Sequence, residues 1–97
     1  MAANSRRPLD GRTRNALTGA LRARLGEEFA EWSLWVSDEG TYYATRRHLL
    51  SAAELWNGCA QTVHADTGDG LRDRLAEQRE QERQALVQDA RQAGGPR

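Results

Sequence analysis

Between Trp32 and Arg47 the chain reads WSLWVSDEGTYYATRR, two alternating runs of aromatic, β-branched and small polar residues broken by Asp38-Glu39-Gly40. Alternation with a period of two marks half-buried strands, and the break marks a hairpin. A three-residue loop with Gly40 in the left-handed region pairs Ser37 with Thr41. Val36 then faces Tyr42, Leu34 faces Ala44 and Trp32 faces Arg46, giving one face that is apolar except at its Arg46 end. Trp35 lies opposite Tyr43 on the other face, among Ser33, Ser37, Thr41 and Thr45. A two-residue loop would shift every side chain across the sheet and mix the faces, so the first register is favoured.

Helical spacing frames this ribbon. Leu17, Leu21 and Leu25 recur every four residues, with Ala16 and Ala20 beside them. They predict a helix that starts at Asp10 or Thr13, each a candidate N-cap, and stops at Gly26. Phe29 is expected in the core. Ser51 with Glu54 matches a capping box, which predicts a short helix over 52–57 ending at Gly58, with Leu55 and Trp56 as its apolar residues. Cys59 to Asp66 reads as a third strand, with Val63 and Ala65 facing the core and Thr62 and His64 facing outward. A last helix starts at Asp66 to Asp69 and packs through Leu71 and Leu75. The stretch EQREQERQ, 77–84, has no apolar residue and is expected to be a solvated extension laced by Arg79–Glu82 and Glu80–Arg83 pairs. Ala85, Leu86 and Val87 resume an apolar patch beyond it.

The expected fold class is therefore α+β: a three-stranded antiparallel sheet with helices packed on one face, in the order α-β-β-short α-β-α. Residues 1–9 are expected to form a disordered Arg-containing arm, 10–91 a single domain with a polar C-terminal helix extension, and 92–97 a disordered tail.

Composition narrows the function classes. The 97 residues are 38% hydrophobic and 29% charged, which leaves a small core. Net charge is zero but uneven: residues 1–26 hold six arginines against one acid, and the remainder eight against thirteen. All fourteen basic residues are arginine, a bias that fits GC-rich coding as in actinomycetes. One cysteine excludes an intrachain disulfide and supplies too few thiols for a zinc site. No apolar run approaches the ~20 residues of a membrane span, and the start, MAANSRRPLDG, lacks a signal-peptide core. A cytoplasmic protein without membrane contact is expected.

Three resemblances attach to particular residues. Trp32, Trp35, Gly40, Tyr43-Ala44-Thr45-Arg46, Gly58 and Thr62-Val63-His64-Ala65-Asp66-Thr67 before Leu71 resemble a family of small uncharacterised actinobacterial proteins encoded near helix-turn-helix regulators. Gly58-Cys59 and Ala65-Asp66-Thr67 also resemble the HicB-like antitoxin module, although Gly-Asp-Gly stands where that module has an acidic helix start. The resemblance implies an antitoxin-like accessory role. The helix–three strands–helix order is also similar to double-stranded-RNA-binding domains. Their Lys-rich helix start is replaced here by the acidic Thr67-Gly68-Asp69-Gly70, which would repel phosphate.

Candidate chemistry is sparse. Cys59 and His64 fall on opposite faces of one strand, the acids are scattered, and Gly68-x-Gly70 is no phosphate loop. No catalytic residue, cofactor or metal site is predicted. The candidate partner-binding set is Trp35, Tyr43, Arg46, Arg47, His64, Leu86 and Val87. It points to a non-enzymatic protein-interaction module that binds a protein partner or itself as a homodimer. A second reading, nucleic-acid binding, draws on the open sheet face with Arg6, Arg7, Arg12, Arg14, Arg22 and Arg24.

Overall fold

The computed structural model describes residues 8–93. Its order is α1 (Gly11–Leu25), β1 (Trp32–Val36), β2 (Tyr42–Arg46), α2 (Ala52–Trp56), β3 (Thr62–Ala65) and α3 (Gly68–Ala93). The three strands form one antiparallel sheet in the order β1-β2-β3. The α+β expectation holds in class, element order and sheet topology.

The hairpin follows from parity and one turn. Trp32 pairs with Arg46, Leu34 with Ala44 and Trp35 with Tyr43, the register derived from the alternation. Gly40 takes φ +84°, which a side chain would resist. Ser37 Oγ accepts from the amides of Glu39 and Thr41, so the loop supplies its own hydrogen bonds.

Helix α1 begins where Asp10 accepts from the Thr13 amide at 2.7 Å. It buries Leu21 and Leu25 against Phe29, Trp32, Leu34 and Val36, while α3 brings Leu71 and Leu75 onto the same cluster around Ala44. Leu17, Tyr42, Val63 and Ala65 pack at its margin. Both long helices thus cover the apolar face of the sheet.

Two expectations are corrected here. Arg46, expected to meet a partner at the surface, is 3% exposed. Its guanidinium lies 4.3 Å over the Trp32 ring, and it donates to Ala60 O at 2.8 Å, to Gln78 Oε1 at 2.8 Å and to Glu82. Being on the apolar face, it had to be satisfied internally, because a buried unpaired guanidinium is too costly to keep. The second correction concerns 77–84, expected to be free of the core. Gln78 is 7% exposed, Glu82 is half-buried and Ala85 is buried. Positions 71, 75, 78, 82 and 85 continue one helical face, and its polar members pack because Arg46 meets them. Gln78 Oε1 also accepts from the Ala60 amide at 2.7 Å, which ties the approach to β3 onto α3. Of the two expected pairs only Glu80–Arg83 forms; Arg79 instead crosses to Glu28 and stacks 4.4 Å over Phe29.

Short α2 has the complete Ser51–Glu54 capping box, and Gly58 beyond it takes φ +80°. The Ser51 amide holds the Glu54 carboxyl below its ordinary value of 4.5. Strand β3 is shorter than the expected 59–66.

Arg46→Ala is expected to cost about 3–5 kcal/mol, because Glu82 and Gln78 lose their donor inside the protein. Exposed Arg47→Ala should stay within about 0.5 kcal/mol, and urea denaturation of both variants checks the contrast. Because the Glu54 pKa is depressed in the folded chain, its stabilisation is present above 4.5 and lost as pH falls through the lowered value. Glu54→Gln keeps an acceptor without a titration, so its stability should fall less steeply on acidification than that of the parent chain.

Candidate functional site

Alternation sends Ser33, Trp35, Tyr43, Thr45, Thr62 and His64 to the face that the long helices leave uncovered. Tyr43, on the central strand, pairs with Trp35 on one side and His64 on the other. The Trp35 and Tyr43 rings stack, with centroids 5.3 Å apart and planes 9° from parallel. His64 tilts against Tyr43 at 5.6 Å and 47°. The three form a row across the whole sheet. Beside it the Thr45 and Thr62 hydroxyls hydrogen-bond at 3.0 Å.

This geometry decides what the row can offer. The stacked rings spend one face each on the other, and His64 takes the far side of Tyr43. Arg14, Thr18 and Arg22 of α1 line a shallow pocket with Trp35. The row therefore presents ring edges and small hydroxyls, a surface suited to a protein contact more than to intercalating bases. Trp35 and Tyr43 are both half-buried, and His64 is exposed.

The arginines separate by environment. Arg22 Nε donates to Leu34 O at 2.9 Å, and Arg24 binds Asp69 at 2.7 Å, which holds that carboxyl below its ordinary range. Arg12 and Arg47 are exposed and Arg14 is half-buried. Arg6 and Arg7 lie outside the described residues. Arg46 is internal and His48 lies 3.5 Å from Glu54, so neither joins exposed Arg47 in a basic patch. Arg46 therefore leaves the set of residues able to touch a partner.

A second surface surrounds α2. The large apolar side chains most exposed among the described residues are Leu49, Leu55, Trp56, Leu86 and Val87. Leu49 is 87% and Trp56 81% exposed. Helix α2 turns only Ala53 inward, and Asn57 Nδ2 fixes its end to Gln88 Oε1 at 2.6 Å. Leu86 borders His48 and Ser51 at the start of α2, and Val87 borders Asn57 at its end. Leu86 and Val87 were expected to form a contact patch. Leu49, Leu55 and Trp56 were not placed in it, and the missed signal is that so short a helix turns only one residue, Ala53, inward.

Cys59 is buried, and burial pushes its thiol pKa up, away from nucleophile activation. Among the described residues no group of three or more His, Cys, Asp or Glu side chains could hold a metal ion, and no helix is long and apolar enough to cross a membrane. Compared with protein-family models, curated proteins and solved structures, the chain matches none of them.

Tyr43→Ala should destabilise the sheet by about 1 kcal/mol through loss of the stack, while Thr45→Ala beside it should change less. Chemical denaturation of the two variants in parallel measures the difference.

Proposed function

We propose that the chain is a non-enzymatic protein-interaction module that self-associates and serves as an accessory, antitoxin-like regulator in the cytoplasm. The observation that carries this reading is the apolar surface around α2, where Trp56 and Leu49 stand almost fully in water on a domain with a small core. Leu49, Leu55 and Trp56 stand exposed on one short segment, and Leu86 and Val87 border its two ends, which favours an association surface over singly scattered apolar side chains. The row of Trp35, Tyr43 and His64 supplies a second contact area with the aromatic composition favoured at interfaces. Arg47, Leu86 and Val87 belong to the same contact set.

Nucleic-acid binding is the weaker reading. It retains exposed Arg12 and Arg47, with Arg6 and Arg7 outside the described residues. It loses Arg46 to the core and Arg22 and Arg24 to contacts within the chain.

Light scattering at tens of micromolar should give a mass above one chain, and Trp56→Ser or Trp35→Ser should weaken association or the retention of a protein partner. Titration with short DNA and RNA at two salt concentrations should show no salt-dependent binding. A one-chain mass with no retained partner, or salt-dependent nucleic-acid binding, would reverse the preference.

A further inference from the structure

The two edges of the sheet are finished differently. The Ser37–Thr41 hydrogen bond fixes the phase of the β1–β2 ladder, so the peptide groups of Leu34 and Val36 point away from β2. The chain itself caps one group of each: Arg22 Nε donates to Leu34 O, and Thr18 Oγ1 accepts from the Val36 amide at 3.0 Å. On the other side, the Arg46 amide bonds to Gln61 O, so Val63 and Ala65 face β2 while the peptide groups of Thr62 and His64 point outward. Among the described residues no backbone hydrogen bond reaches those outward groups. One edge is closed by α1 and the other is a free template.

We propose that the free edge of β3 pairs antiparallel with β3 of a second copy, about a twofold axis at Val63, to give a continuous six-stranded sheet. This deepens the self-association reading and rests on it. The strand matches itself about that axis. Thr62 comes opposite the second copy's His64, so their outward amides and carbonyls bond reciprocally, and a hydroxyl faces an imidazole on the open side. On the covered side the two Val63 side chains meet. Charge is complementary as well. Arg74 of α3 borders Thr62, Val63 and His64 and lies 3.8 Å from Glu77, so this flank carries both signs, as a twofold contact requires. Because α1 seals the β1 edge, addition stops at two chains instead of running on into a fibre. The two rows of Trp35, Tyr43 and His64 become one aromatic band.

The test is amide hydrogen exchange on the full chain across a concentration series, read beside the light-scattering mass. The Thr62 and His64 amides should gain about tenfold protection or more as the mass rises from one chain to two. His64→Pro removes one outward donor without touching the β2–β3 ladder and should leave a folded single chain. Should that variant not fold, Arg74→Glu decides: it should weaken dimerisation, and Arg74→Glu with Glu77→Arg should restore it. A two-chain mass with both amides exchanging freely overturns the edge contact and leaves self-association standing, through another surface such as that around α2. A one-chain mass at every concentration overturns both. Protection of these amides only when an unrelated extended peptide is added also overturns the second copy as occupant.

Discussion

A single guanidinium ties the middle of α3 to the sheet, beyond the reach of the apolar core. Arg46 sits at the end of the apolar face, over the Trp32 ring, and binds Ala60 O, Gln78 and Glu82 at once. Gln78 in turn accepts from the Ala60 amide. Strand β2, the segment entering β3 and the middle of α3 are therefore ordered by one charged group. No buried side-chain nitrogen or oxygen among the described residues is left without a partner, the condition under which a charge so far inside is tolerable. A small apolar core could not by itself hold a helix as long as α3, and the polar continuation of its inner face supplies the rest of the attachment.

What was legible in the sequence was parity. Alternation on either side of Asp38-Glu39-Gly40 fixed the pairing of Trp35 with Tyr43, because a slip would have exchanged the apolar and polar faces. The capping box at Ser51 and the stop at Gly26 were legible because a cap is a local bond with a fixed spacing. Arg46 was harder. Its register position was correct, yet an arginine closing an apolar strand face can turn outward into water or inward to a polar partner, and the partner lies 32 residues away at Gln78. Reading 77–84 as free of the core is the same error seen from the other end. Apolar periodicity cannot register a helix that packs through glutamine and glutamate, although the spacing from Leu75 through Gln78 and Glu82 to Ala85 was there to be followed.

The site was legible in part for the same reasons. The ribbon's outer face and its aromatic row came from alternation, and His64 joined it from the phase of the third strand. The apolar surface around α2 did not come from periodicity. In a five-residue helix there is no second turn to reveal which side is inward, so Leu55 and Trp56 read as packing residues although they face solvent. Edge chemistry was equally hidden: that Thr18 and Arg22 finish β1 depends on where α1 crosses the strand, a tertiary fact without a sequence period.

The turn at Ser37 to Thr41 bears on how the chain is made. Its own hydrogen bonds are local, and the one from farther away, Leu9 N–H to Asp38 O, comes from upstream of the hairpin, so the ribbon can assemble while α3 is still being synthesised or still searching. At that stage α1 can already lie on β1, but the part of the sheet face that α3 later covers, around Ala44, would be a bare sticky surface, with Arg46 charged and hydrated at its rim. A charge flanking an unavoidable hydrophobic strand acts as a gatekeeper against aggregation. The arginine that later becomes the innermost polar anchor thus first protects the nascent sheet from clumping with its neighbours.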